Sequence, residues 1–162
     1  AFSQNVWQLG AFRLLAGIMT AMGKPTDPVQ VGGVGTFDGV MAETFDDPRI
    51  HMAANCASVG CPALRDEAYA GDRLDAQLDD AVARFLSDRS RNRINPQTGR
   101  LEVSKIFDWY GKDFAARAGS VEKWLAKYAD LLADDPKQRV TVRDAGAKLD
   151  FLDYDWTLNE KR

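Results

Sequence analysis

Apolar residues along this chain recur at two spacings, and the spacing changes predict most of its elements. From Asp72 to about Ser87, the residues Leu74, Leu78, Ala81, Val82 and Phe85 form one stripe at helical spacing, with Asp72 placed as an N-cap. Val6 to Met22 is a second apolar block and reads as a buried or amphipathic helix, ended by Gly23-Lys24-Pro25. Ile50 to Asn55 is a short apolar run and reads as a largely buried strand. Arg91–Ile94 and Arg100–Val103 flank the turn sequence Asn95-Pro96-Gln97-Thr98-Gly99 and read as a strand pair. Ser104 is placed to cap a short helix carrying Ile106, Phe107 and Tyr110. Ser120 is placed to cap another, with Trp124, Leu125, Tyr128 and Leu132 on its inner face. Val140-Thr141-Val142 and Leu149 to Tyr154 read as two closing strands joined by Asp144-Ala145-Gly146. The sum is an α+β chain, a single domain over residues 1–162, with helices packed on a small, mainly antiparallel sheet.

Composition adds exclusions. A chain of 162 residues can build a core without metals or disulfide staples. A net charge of -3 gives no electrostatic case for nucleic acid or an anionic membrane as partner. No apolar run reaches the length of a membrane span, and Gln8, Gly10, Arg13 and Gly17 interrupt the nearest one. The glycines at 32, 33, 35 and 39 miss the phosphate-cradling spacing because position 38 is Asp. Two cysteines and one histidine do not announce a metal site, and no cofactor is expected. The arginines at 84, 89, 91, 93 and 100 are interleaved with Asp80 and Asp88, so a solvated surface is the default reading.

The reactive groups are concentrated in one place. His51, Cys56 and Cys61 are the only histidine and the only cysteines of the chain. A thiol reacts as its thiolate, and an imidazole is a common way to generate one. Cys61-Pro62 reads as the opening of a helical turn, since proline suits the first helical position. The partial positive charge there would lower the thiol pKa, and the free N–H groups would hold an oxyanion. Cys61 is therefore the first candidate nucleophile. Cys56 stands as alternative nucleophile, as resolving thiol, or as disulfide partner of Cys61 across four residues that include Gly60. Strand alternation would put His51, Ala53 and Asn55 on one face and Cys56 on the other. That favours a loop returning Cys61 to His51. A base of this kind is usually held by a third group, and Asn55, Asn5, Asp108, Asp113 and Asp155 all remain open. Trp109, Tyr110 and Phe114 are candidate pocket aromatics, against the alternative that they are core. Trp156 with Asn159 reads as closing the fold.

The run His51-Met52-Ala53-Ala54-Asn55-Cys56-Ala57-Ser58-Val59-Gly60-Cys61-Pro62-Ala63-Leu64-Arg65 resembles the signature of the bacterial and plant family known as Domain of Unknown Function 547. The resemblance continues through Glu67-Ala68-Tyr69, Ser104 to Tyr110 with Asp113-Phe114, and Tyr154-Asp155-Trp156 with Leu158-Asn159. At the N-terminus Asn5 and Trp7 fit that family loosely, while Ser3, Gln4 and Gln8 depart from it. The resemblance implies an architecture similar to papain-like cysteine hydrolases, where the nucleophile opens a helix. It also implies an extracytoplasmic location, periplasmic or secreted. A chain starting at Ala1 inside an implied helix suggests a leader and an upstream segment.

Three functions compete. The first is a thiol-dependent hydrolase or transferase acting on an amide, peptide or small thiol conjugate. Attack by Cys61 or Cys56 and proton transfer through His51 would give a thioacyl intermediate. The second is a redox module cycling Cys56 and Cys61 between dithiol and disulfide. The third is a binding domain with a dead site. In the first case the partner is a small-molecule or peptide substrate.

Overall fold

The structure, a computed structural model, describes residues 47–55 and 57–159. The expected helix over 6–22, the glycine-rich loop, Asn5 and Cys56 lie outside the described residues. Helix α1 (Leu74–Ser87) follows a 3-10 turn at Gly71–Arg73. Strands β1 (Arg93–Ile94) and β2 (Leu101–Val103) come next, then α2 (Ile106–Trp109), α3 (Gly111–Ala118), α4 (Val121–Ala126), α5 (Ala129–Leu132), α6 (Pro136–Arg143) and β3 (Leu149–Phe151). A 3-10 helix at Pro48–Met52 precedes them all.

The α1 stripe is as the spacing predicts. Leu78, Val82 and Phe85 are buried, joined by Gln77, Ala81 and Leu86, while Leu74 is only half-buried. The helix packs toward an aromatic centre in which the Phe107 ring lies 4.9 Å from Phe114 and 5.9 Å from Trp124. Phe114 and Trp124 meet edge to face at 4.8 Å. Leu101 and Val103 point into this core from β2, and Glu102 between them turns outward to Arg93 at 2.7 Å. Ser104 Oγ accepts from Ile106 N as α2 begins, and Ser120 caps α4 by accepting from Lys123 N. The single inner face expected from Trp124 to Leu132 is split between α4 and α5, which break at Lys127-Tyr128.

The sheet is small and mixed, which corrects the mainly antiparallel expectation. β1 pairs antiparallel with β2 in the register Arg93–Glu102 and Ile94–Leu101. β2 pairs parallel with β3, Leu101 opposite Leu149 and Val103 opposite Phe151. The parallel pairing needs a long crossover, and α2 to α6 supply it.

Two expected strands are helices, for one reason. The run from Ile50 enters a 3-10 helix because Asp47 accepts from Arg49 N at 3.0 Å and Pro48 fixes the first helical position. Val140-Thr141-Val142 lies in α6 because Asp135 accepts from Lys137 N and Gln138 N, and Pro136 follows it. Of that β-branched run, Val142 is buried and Val140 is half exposed, as on a helix with one inner face. In both places an Asp-Pro cap overrides β propensity.

The helix expected after Pro62 is absent. The chain from Cys61 to Arg65 is a bend followed by irregular backbone, and the next helical residues are Gly71–Arg73. The Pro62 carbonyl, which an entering helix would use, accepts instead from Asn55 Nδ2 at 2.6 Å.

Candidate functional site

His51 is carried on the buried 3-10 helix, not on a strand, so the alternation argument for its face does not apply. Its side chain is 6% exposed, and its Nε2 lies 2.9 Å from Asp113 Oδ2. A carboxylate only accepts, so Nε2–H donates, and the neutral ring carries its basic lone pair on Nδ1. Tyr110 stacks flat on the imidazole, with centroids 4.0 Å apart and planes 14° apart. Phe114 lies against it at 5.6 Å. Among the described residues that the sequence left open, Asp113 is bonded to His51. It lies in the first turn of α3, where a carboxylate suits the helix dipole.

The other candidates do different things. Asn55 latches a loop: its amide donates to Pro62 O, and its Oδ1 accepts from Ala57 N at 2.9 Å. Asp108 is not a buried acid, since it is exposed and paired with Lys105 at 2.7 Å. Asp155 accepts from the Thr157 amide and hydroxyl, which hold its carboxyl below the usual range. Trp109 is 44% exposed and lies 4.8 Å from Tyr154 and 5.6 Å from Trp156. Tyr110 is therefore a wall of the histidine site, and Phe114 is fully buried core that also touches it.

Cys61 is buried at 5% exposure and is disulfide-bonded. The sequence has one other cysteine, at position 56. Tyr154 Oη donates to Cys61 Sγ at 3.1 Å, and Ser58 Oγ donates to Tyr154 Oη at 3.0 Å. Burial, the disulfide and the missing helix together remove the helix-dipole argument for a low-pKa Cys61 nucleophile.

The C-terminal segment holds the loop in place. Val59 N donates to Thr157 O, Gly60 N to Asp155 O, and Asn159 N to Ala57 O, each at 2.8 or 2.9 Å. Ala57 has a positive φ of 62°, uncommon for a residue with a Cβ. A Cβ at Gly60 would meet the Tyr154 ring at 2.9 Å and Asp155 O at 3.0 Å, so only glycine fits under that ring. Beside these residues is a cavity of about 150 Å³ bordered by Gly60, Arg91, Ser104, Tyr154 and Asp155. That is below the roughly 300 Å³ at which small-molecule pockets usually begin.

Two features escaped the sequence reading. Tyr154 bonds the sulfur of Cys61 from 93 positions away, and only its place in the family-like run Tyr154-Asp155-Trp156 marked it. Arg49 clamps the histidine-bearing segment to α1 by bonding Asp47, Asp75 at 2.8 Å and Asp79 at 2.7 Å. The signal was the (i, i+4) spacing of Asp75 and Asp79 on one helix face. Burial raises the Asp47 carboxyl, but its bonds to Arg49 outweigh this and hold it below the usual range. The arginines at 84, 89, 91, 93 and 100 are paired with Asp80, Asp134, Asp88, Glu102 and Asp150, so they form no uncompensated anion patch.

Among the described residues no group of three His, Cys, Asp or Glu could hold a metal ion. No described helix is long and apolar enough to cross a membrane. The model of the family described as "Protein of unknown function, DUF547" matches residues 18–86, a stretch that includes His51, Cys56 and Cys61 and most of α1. Asp113 and Tyr154, which bond His51 and Cys61, lie beyond that stretch. No curated protein and no solved structure matches the chain.

Proposed function

We propose that this chain is a thiol–disulfide module in which Cys56 and Cys61 are the redox couple. The observation that carries the reading is the disulfide of Cys61, buried beneath the Tyr154 hydroxyl. Four residues separate the two cysteines in sequence, and Asn55 latches the ends of that loop by bonding Pro62 O. By chain entropy alone, so short a loop gains roughly 2 kcal/mol from its crosslink, about half the value for a hundred-residue loop. A weakly stabilising disulfide suits reversible chemistry better than stapling. The co-reactant is an external thiol. Its thiolate attacks one sulfur, the S–S bond breaks, and the other sulfur leaves as a thiolate. A second external thiolate then releases the first as an external disulfide, so two external thiols are oxidised and the protein disulfide becomes a dithiol. An oxidising compartment, periplasmic or extracellular, fits such a couple.

The His51–Asp113 pair favours a second reading. A buried imidazole fixed by a carboxylate and stacked on Tyr110 is the kind of base that serves a cysteine hydrolase or transferase. In that reading the domain is papain-like, the disulfide is a latent form, and reduction frees the nucleophile.

Thiol counting separates the two. The redox reading expects no alkylatable thiol in untreated folded protein, two after reductant, and none again after oxidised glutathione. Two free thiols in untreated protein would contradict it. If reduced protein shows one thiol alkylated rapidly near pH 6, and His51→Ala abolishes that, the hydrolase reading takes its place.

A further inference from the structure

Resting on the redox reading, we infer that the cavity beside Cys61 binds the co-reactant thiol, and that this thiol is a small aminothiol of the cysteine type. The cavity adjoins the disulfide. It is bordered by Gly60, which precedes Cys61 in the chain, and by Tyr154, whose hydroxyl bonds Cys61 Sγ at 3.1 Å. A volume of about 150 Å³ suits a molecule of cysteine's size and not a whole tripeptide.

The charge of the lining selects among small thiols. Asp153 and Asp155 border the cavity, and both are exposed. Thr157 donates its hydroxyl and its amide to Asp155 Oδ1, which neutralises no charge and keeps the carboxyl below its usual range. Among the described residues no Lys or Arg pairs with Asp153 or Asp155. The cationic residue of the lining, Arg91, is already paired with Asp88. The unbalanced charge at the cavity is therefore negative, so it attracts an ammonium group and repels an acidic thiol. Ser104, which also borders the cavity, supplies a donor. It is 5% exposed, its oxygen accepts from Ile106 N, and no described group accepts its hydroxyl hydrogen. A buried hydroxyl normally donates as well as accepts. An ammonium drawn to Asp153 and Asp155, with an acceptor oxygen at Ser104, is the pattern of an amino acid thiol.

The bound aminothiol attacks as its thiolate. Its sulfur donates an electron pair to one disulfide sulfur, the S–S bond breaks, and the other sulfur takes the bonding pair. A second aminothiol displaces the first as a disulfide, and the two protein sulfurs take up the two protons given up. Two aminothiols are thus oxidised and the protein disulfide becomes a dithiol. Binding in the cavity raises the local thiol concentration and so the rate.

The test uses cysteine, cysteamine, which keeps only the ammonium, and mercaptopropionate, which keeps only the carboxylate. Thiols are first counted in each untreated protein. Reduction rates per thiolate are then measured at low salt, each divided by the same thiol's rate on an oxidised peptide of residues 56–61. On the wild type both aminothiols should exceed mercaptopropionate by about fivefold, the scale of an exposed ion pair. The double variant Asp153→Asn/Asp155→Asn should bring that ratio toward one, as should high salt. Asp72→Asn removes an exposed charge that does not border the cavity and should leave the ratio unchanged. Ser104→Ala should slow cysteine relative to cysteamine. Equal normalised rates on the wild type would overturn the inference, as would a ratio that survives in the double variant or falls equally in Asp72→Asn. An unchanged cysteine-to-cysteamine ratio in Ser104→Ala would overturn the amino acid class. Free thiols in the untreated wild type would instead overturn the redox reading, and this inference with it.

Discussion

Around Phe107, Phe114 and Trp124 the chain is held by rings packed on rings and on the stripe of α1. From Asn55 to Pro62 it is held by hydrogen bonds: a side-chain latch within the loop, and three backbone bonds to the C-terminal segment. Packing of the first kind is non-directional and tolerates repacking. The second kind is directional, and each bond that holds Cys61 or Ser58 also fixes where a sulfur or a hydroxyl points. The two regions should therefore respond differently to mutation, the core in stability and the loop in chemistry.

The largest effect is expected in the core. Leu78 is 1% exposed, and Leu78→Ala should cost about 2–5 kcal/mol by urea denaturation while leaving the reduction rate of the Cys61 disulfide unchanged. A comparable change in that rate would show that core and loop are not separable. Next comes Gly60→Ala, whose methyl must displace the Tyr154 ring or Asp155. It should cost about 1–3 kcal/mol and accelerate reduction of the disulfide by dithiothreitol. A stable variant with unaltered reduction would mean that the C-terminal segment does not govern the cysteine.

That contrast also explains what the sequence could yield. The α1 stripe, the Asn95–Gly99 turn and the Ser120 cap follow from local spacing and are present. The histidine and cysteine segment was identified as the reactive one from residue type alone. Its backbone was not, because Asp47-Pro48 capped a 3-10 helix where apolar content suggested a strand. Likewise Cys61-Pro62 had a residue suited to a helix start, but Asn55 had already taken the carbonyl. Asp113 stood among five open choices for holding His51. Nothing local distinguishes it from Asp108, five residues earlier and likewise beside aromatic residues, because the deciding contact spans 62 positions. Local rules place helices; they do not say which distant donor meets a given sulfur.

A smaller effect concerns acid. In the folded chain the Asp47 carboxyl lies below its ordinary value because the Arg49 bonds outweigh its burial. The folded state then binds fewer protons than the unfolded state in this range. The stability contributed is present above about pH 4 and is lost as pH falls below it. Arg49→Gln should flatten this acid limb in a pH series of thermal melts. An unchanged limb would show that the clamp on α1 contributes no pH-dependent stability.

The most direct test of the account is the reduction potential of the Cys61 disulfide, measured by equilibrating wild-type protein in glutathione buffers and counting alkylated thiols. A redox couple should titrate between about -270 and -120 mV, the span of thiol–disulfide exchange proteins. A potential below about -300 mV would make the disulfide a structural staple and contradict the proposed function.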